Sequence, residues 1–313
     1  MNKVEFGDCR KIMTRWVSEG VRVQTCVTSP PYFGLRDYGV EGQFGLEKTP
    51  DEYVKNLVDT FRLVRDLLTD DGTLWLNLGD SYAGSWGNQG RKETRGSQRP
   101  INGTMIQPVL DGRYPAKQSN TGKIPEGSGL KPKDMIGIPW MVAFALRADG
   151  WYLRQDIIWA KPNPMPESVQ DRCTKSHEYL FLLSKSPKYY FDTKAMQEPA
   201  KYAGDNRGAR KDSWRGTKCN SMSGITGAFR NRRDVWIITT KPYKGAHFAT
   251  YPADLIEPCV LAGSRPGDIV LDPFMGSGTT AQVALQHGRR YLGCELNPEY
   301  KVLIDKRLEL VEF

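Results

Sequence analysis

The sequence predicts an α/β protein: a mostly parallel sheet with helices on both faces and one antiparallel hairpin. Strand-length apolar runs alternate with segments of helical period, the pattern of strand–helix–strand crossovers. A glycine-rich turn, Asp272-Pro-Phe-Met-Gly276-Ser-Gly278, joins a strand to a helix, where open parallel sheets hold their ligands. Two strands flanking a Pro-rich link at 161–166 supply the hairpin.

Taken in order, residues 4–7 and 23–27 read as short buried strands, each followed by a turn. Residues 51–68 place Tyr53, Leu57, Val58, Phe61, Val64, Leu67 and Leu68 at helical spacing and stop at Asp71-Gly72. A strand covers 73–78. From 84 to 133 the periodicity disappears and Gly, Arg, Gln, Asn and Pro dominate, the composition of a binding loop. Residues 138–148 read as a helix, followed by strands at 152–159 and 178–184. Residues 196–233 are again basic and aperiodic, with Trp214 and Phe229 among the arginines. Order returns with a strand at 235–239, a helix from about 252 to 262, and a strand at 269–271 running into the glycine turn. A helix at 280–287, a strand at 291–295 and a last helix at 298–311 complete the pattern.

Composition narrows the function. With 39% hydrophobic and 26% charged residues, the 313-residue chain has the balance of a globular protein with a sizeable core. No apolar run approaches membrane-spanning length, and the first residues lack a basic-then-apolar export pattern, so no membrane partner and a cytoplasmic location are expected. The six cysteines are scattered, without a C-x-x-C pair, and only three histidines accompany them; no metal site is expected. The net charge of +8 is unevenly placed: residues 85–133 carry a net +6 and residues 201–233 a net +7, leaving the remainder negative. Two basic segments of this kind suit phosphate contact with nucleic acid.

The glycine turn has the features of a nucleotide cradle. Glycines let a ligand approach bare backbone, and Glu295, 23 residues beyond Asp272 at the end of the next strand, is placed to accept from ribose hydroxyls. Thr279-Thr280 stands where a Walker loop needs Lys-Ser/Thr, and G-x-G-x-x-G is absent. An adenosyl ligand without a pyrophosphate fits best.

The second constellation is Ser29-Pro30-Pro31-Tyr32, just past a strand end. The prolines fix φ and offer no N–H, so the turn is a rigid display of acceptors. Such acceptors suit an exocyclic amine, whose lone pair is delocalised into its base ring. Hydrogen bonds from NH2 to the Ser29 hydroxyl and a turn carbonyl would draw the nitrogen toward tetrahedral geometry, and Tyr32 could stack on a base swung out of the helix.

Together these motifs make the chain resemble the beta-class amino DNA methyltransferases, whose catalytic (S/D/N)-P-P-(Y/F) motif precedes their cofactor F-x-G-x-G motif in a circularly permuted order. The resemblance implies a Rossmann-like S-adenosylmethionine-dependent methyltransferase fold. It implies catalytic roles for Ser29, Pro30, Pro31 and Tyr32. It also implies cofactor contacts from Asp272, Phe274, Gly276, Ser277, Gly278, Thr279 and Glu295, from Asp8 to the adenine amine, and from His247 near the methionine end. The expected organisation is a catalytic half at 1–84, a basic insertion at 85–133, core continued at 134–195, target recognition at 196–233 and a cofactor half at 234–313. Double-stranded DNA is the implied substrate; a homodimer and a cognate restriction endonuclease are compatible partners. The permutation further predicts that the last helix ends near residues 4–7.

Thr28-Ser29 leans toward N4 of cytosine, with N6 of adenine as the alternative, since both bases present similar NH2 groups. An RNA or protein amine methyltransferase, and a nucleic-acid-binding module with a degenerate cofactor fold, are the remaining readings. Carbon-5 methylation would require a cysteine nucleophile; Pro258-Cys259 lies in the helix before the glycine turn, so Cys259 is expected to be a packing residue.

Overall fold

A computed structural model describes residues 2–36, 38–84, 129–200, 228–241 and 251–311. An eight-stranded sheet carries the chain: β1 (Lys3–Phe6), β2 (Val23–Thr28), β3 (Leu68–Leu78), β4 (Tyr152–Ala160), β5 (His177–Ser184), β8 (Val235–Ile237), β9 (Ile269–Asp272) and β10 (Arg290–Glu295), in the spatial order β1-β10-β9-β2-β3-β5-β4-β8. β5 runs antiparallel to both of its neighbours, and every other pairing is parallel. The expected mostly parallel sheet with an antiparallel hairpin is therefore present. β6 (Gln197–Pro199) and β7 (Phe229–Asn231) form a separate two-stranded ribbon.

Helices cover both faces because the central strands are apolar on both sides. All six residues of β2 are buried. One core layer joins the sheet to α1 (Cys9–Ser18), α2 (Pro50–Leu67) and α3 (Ile138–Ala148); the other joins it to α4 (Ala253–Gly263), α5 (Thr279–Gln286) and α6 (Lys301–Leu308). α2 shows how local chemistry sets an element. Thr49 caps it by accepting from the Glu52 N–H at 3.2 Å, Pro50 opens its first turn, and Tyr53, Leu57, Phe61 and Val64 point inward.

Several features differ from the sequence expectation, among them β3, which begins at Leu68 and runs through Asp71-Gly72 where a stop was expected. The turn expected after the first strand is helix α1, capped by Asp8 and burying Cys9, Met13 and Trp16 on one face. The last helix is shorter than 298–311: a 3-10 turn, Pro298–Tyr300, precedes α6. The aperiodic segment 196–233 contributes the β6–β7 ribbon at its flanks; its residues 201–227, and residues 85–128 of the basic insertion, lie outside the described residues.

The topology places the site. β2 and β9 are parallel neighbours, with Thr25 opposite Val270 and Cys26 opposite Leu271, although about 245 residues separate them in sequence. From this pair the sheet grows outward in opposite directions, through β10 to β1 and through β3 to β5. That makes the β2/β9 boundary a topological switch point, with a crevice at the strands' carboxyl ends. At the far edge β1 pairs with β10, Lys3 opposite Leu292, and the Gly7 N–H donates to the Glu295 carbonyl at 2.8 Å. The permuted order closes there.

Candidate active site

Both motifs open from the β2/β9 crevice onto one cavity of about 810 Å3. Ser29, Pro30, Pro31 and Tyr32 line it from the β2 side; Phe274, Gly276, Ser277, Thr279 and Glu295 line it from the β9–β10 side, and Asp8 borders it. The volume lies within the range of ligand sites. A direct bond ties the two banks: the Thr28 hydroxyl donates to Asp272 Oδ1 at 2.6 Å.

Asp272 is the hub of that tie. It is fully buried, and its carboxylate also accepts from the Thr280 hydroxyl at 2.6 Å, the Tyr251 hydroxyl at 2.9 Å and the Phe274 N–H at 3.0 Å. Burial raises its pKa while these four donors oppose the rise. Asp272 stands behind the cavity lining, where its four hydrogen bonds hold strand, turn and helix together. Gly278 also lies behind the lining. Its φ of +85° starts α5, and a Cβ there would meet Ile304 of α6 at 3.4 Å, so backbone conformation and helix packing require this glycine.

Gly276 meets the cavity. With φ at +55°, a Cβ there would approach nothing closer than the Phe274 carbonyl at 3.9 Å, so the loop presents bare backbone to a ligand. Glu295 stands beside it. One carboxylate oxygen accepts from the Gly276 N–H at 2.7 Å and the other from the Asn297 N–H at 2.8 Å, which fixes the group at the cavity wall. Burial pushes its pKa up to about 7, against the pull of those N–H groups. The bare glycine backbone, the fixed acceptor and the volume fit an adenosyl cofactor. Asp8 plays a double part: its carboxylate caps α1 through the Arg10 N–H at 2.9 Å and is gripped by the Arg10 guanidinium at 3.0 and 3.1 Å. Burial works against ionisation there, but Arg10 holds the carboxyl below its ordinary value. His247 lies outside the described residues.

The Ser29–Tyr32 turn is held from below. The Tyr53 hydroxyl donates to the Pro31 carbonyl at 2.8 Å, and the Leu35 N–H reaches the Tyr32 carbonyl at 3.3 Å. Those two carbonyls are thus engaged within the protein, and the Ser29 hydroxyl lies 3.4 Å from the Tyr32 hydroxyl. Tyr32 is half-buried, its hydroxyl 2.7 Å from Glu178 Oε2; burial and the Glu178 charge push its phenol well above the ordinary value.

Several contributors escaped the sequence reading. Arg307 of α6 is buried and donates to the Thr279 hydroxyl at 2.7 Å and the Ser277 hydroxyl at 3.1 Å, bracing the glycine turn. Tyr251, Lys161, Asn77 and Glu178 also line the cavity. The sequence signals near them are the Pro-rich link beginning at Lys161 and the segment 247–252, which contains Tyr251. Cys259 is packed within α4, its thiol raised by burial and donating to the Leu255 carbonyl at 3.5 Å, as expected of a packing residue. Among the described residues there is no metal-ligand cluster, and no helix is long and apolar enough to cross a membrane.

Comparison with known proteins agrees with this geometry. The family described as DNA methylase, of the N6/N4 type, matches residues 23–306. The type II methyltransferase M.Cfr9I of Citrobacter freundii is 48% identical over 303 residues, covering 97% of this chain and 86% of that protein. M.SmaI of Serratia marcescens is 47% identical, covering 98% and 90%. Among solved structures, the cytosine-N4-specific PvuII DNA methyltransferase aligns with a TM-score of 0.61 at 18% identity, covering 98% of this chain and 86% of that one. The S-adenosylmethionine complex of M1.HpyAVI aligns with a TM-score of 0.55 at 18% identity, covering 99% and 100%.

Proposed function

The chain belongs to the N6/N4 family of S-adenosylmethionine-dependent DNA methyltransferases, and on that premise we propose that it methylates cytosine at N4 within a specific sequence of duplex DNA. The observation that carries the reading is the shared cavity, with Ser29–Tyr32 on one bank, Gly276 and Glu295 on the other, and the Thr28–Asp272 bond between them.

When bound, S-adenosylmethionine supplies a methyl group on a positively charged sulfur. Glu295 would accept from its ribose hydroxyls, and the Gly276 backbone would allow its close approach. On the opposite bank the Ser29 hydroxyl and a turn carbonyl would accept from the NH2 of an extruded base and draw its nitrogen toward tetrahedral geometry. Rigidity at both banks suits a displacement in which alignment supplies several kcal/mol of the rate enhancement. Serine in the Ser-Pro-Pro-Tyr turn supports cytosine, and the PvuII enzyme that shares this fold is cytosine-N4-specific. The type II names of the relatives support a cognate restriction endonuclease as partner; sedimentation tests the homodimer.

The test is incubation of duplex DNA with methyl-labelled cofactor, followed by nucleoside mass spectrometry. N4-methylcytosine is expected. N6-methyladenine would retain the enzyme class and correct the base, and label confined to RNA or protein would overturn the reading.

A further inference from the structure

The hold on Tyr32 reaches well beyond its own motif. Its hydroxyl donates to Glu178 Oε2 at 2.7 Å and lies 3.1 Å from Asn77 Oδ1. Asn77 Nδ2 donates to the same Glu178 oxygen at 3.2 Å and to the Tyr179 carbonyl at 3.0 Å. The other Glu178 oxygen pairs with the Lys161 ammonium, which sits 4.3 Å from the centre of the Trp159 ring. Asn77 belongs to β3 and Glu178 to β5, while Lys161 directly follows β4, so the sheet itself is the frame.

Gly79 is the independent observation. A Cβ at this position would lie 2.6 Å from Tyr32 Cε2 and 3.1 Å from Cδ2. Its φ is not left-handed, so the backbone would accept any residue; the ring is what requires glycine. The charged pair is equally hard to explain by stability. Lys161 and Glu178 side chains are only 18% and 16% exposed, and desolvation cancels most of the attraction in such pairs. A carboxylate does, however, accept only, which obliges the phenol to donate and fixes its direction.

We infer that Lys161, Glu178 and Gly79 form a clamp that sets the plane of the Tyr32 ring against the extruded base. Glu178 and Lys161 act through Tyr32 as positioning residues, so the inference rests on the proposed reaction. The clamp predicts a split: its loss lowers turnover and leaves the cofactor bank untouched.

Two mutant cycles test it with methyl transfer to DNA, cofactor calorimetry and the fluorescence of 2-aminopurine placed at the target position. Glu178→Gln and Tyr32→Phe each lower kcat about tenfold or more, with cofactor Kd within about twofold; the double variant is no worse than the poorer single, because both act on the one Tyr32–Glu178 bond. Gly79→Ala lowers kcat and brightens the unstacked 2-aminopurine, and it costs nothing further in a Tyr32→Ala background. Losses that multiply in both cycles, or cofactor affinity falling in step with turnover, overturn the clamp. If Glu178→Gln does not fold, the Gly79 cycle decides alone. Wild-type methylation of DNA with multiplying losses sinks the clamp and keeps the reaction; a wild type that leaves DNA unmethylated sinks both.

Discussion

The two banks of the cavity use their side chains in opposite ways. On the cofactor bank the acids mostly serve the scaffold: Asp272 takes four internal donors, Asp8 caps α1 and holds Arg10, and Glu295 is pinned by two backbone N–H groups. Recognition there falls to bare backbone and one fixed carboxylate. On the base bank, side chains from β3, β5 and the link after β4 converge on a single tyrosine. On the proposed reading, changes on the first bank are expected to reach stability and cofactor binding, and changes on the second to reach turnover.

The largest test of that contrast is Asp272→Ala. It leaves the buried Thr28 hydroxyl without its acceptor and removes the carboxylate bonds of Thr280 and Tyr251, and a stability loss of about 3 kcal/mol or more is expected in thermal or denaturant unfolding. Unchanged stability would return Asp272 to the role of a ligand contact. Next comes Tyr32→Ala, for which a drop in kcat of about 100-fold, or about 2.7 kcal/mol, is expected with cofactor affinity nearly unchanged. Equal loss of both would erase the distinction between banks.

The two loop glycines sharpen the comparison. Alanine at either left-handed position costs about 1–2 kcal/mol of backbone strain. Gly276→Ala also places a methyl in the cavity and is expected to weaken cofactor binding about tenfold. Gly278→Ala meets Ile304 instead, so its loss should appear mainly in the melting temperature. Calorimetry and thermal unfolding in the reverse pattern would exchange their roles.

The smallest effect concerns pH. With the Glu295 pKa near 7 in the unliganded protein, the neutral acid dominates below that value, and ribose hydroxyls bond better to the carboxylate. Cofactor affinity is expected to weaken severalfold as pH falls from about 8 to 6 and to level off above 8. Because the folded pKa is raised above 4.5, the unliganded fold binds the extra proton, and its stability declines as pH rises from about 4.5 through 7. Calorimetry with Glu295→Gln should lose the binding trend; its persistence would assign the titration elsewhere.

Periodicity and punctuation made most of the architecture legible, including the sheet class, both motif turns and α2 with its inward face. α1 was missed although Cys9, Met13 and Trp16 recur at helical spacing, because Asp8 was read as a ligand contact and its capping role was overlooked. Asp272 and Gly278 stand out in the sequence by position, but the sequence does not say which way a buried carboxylate faces or what packs behind a glycine. Glu178 and Gly79 were invisible for a different reason. Each matters only through Tyr32, 146 residues from Glu178 along the chain, and nothing local to either position announces that contact.

The bond from Thr28 to Asp272 also bears on how the protein is made. It spans 244 residues, so a nascent chain displays the catalytic turn long before β9 emerges from the ribosome to meet it. At about 5–20 residues per second the interval lasts roughly 10–50 s. During it a central strand has one lateral edge unpaired, a period of exposure to misassembly that chaperones would be expected to cover.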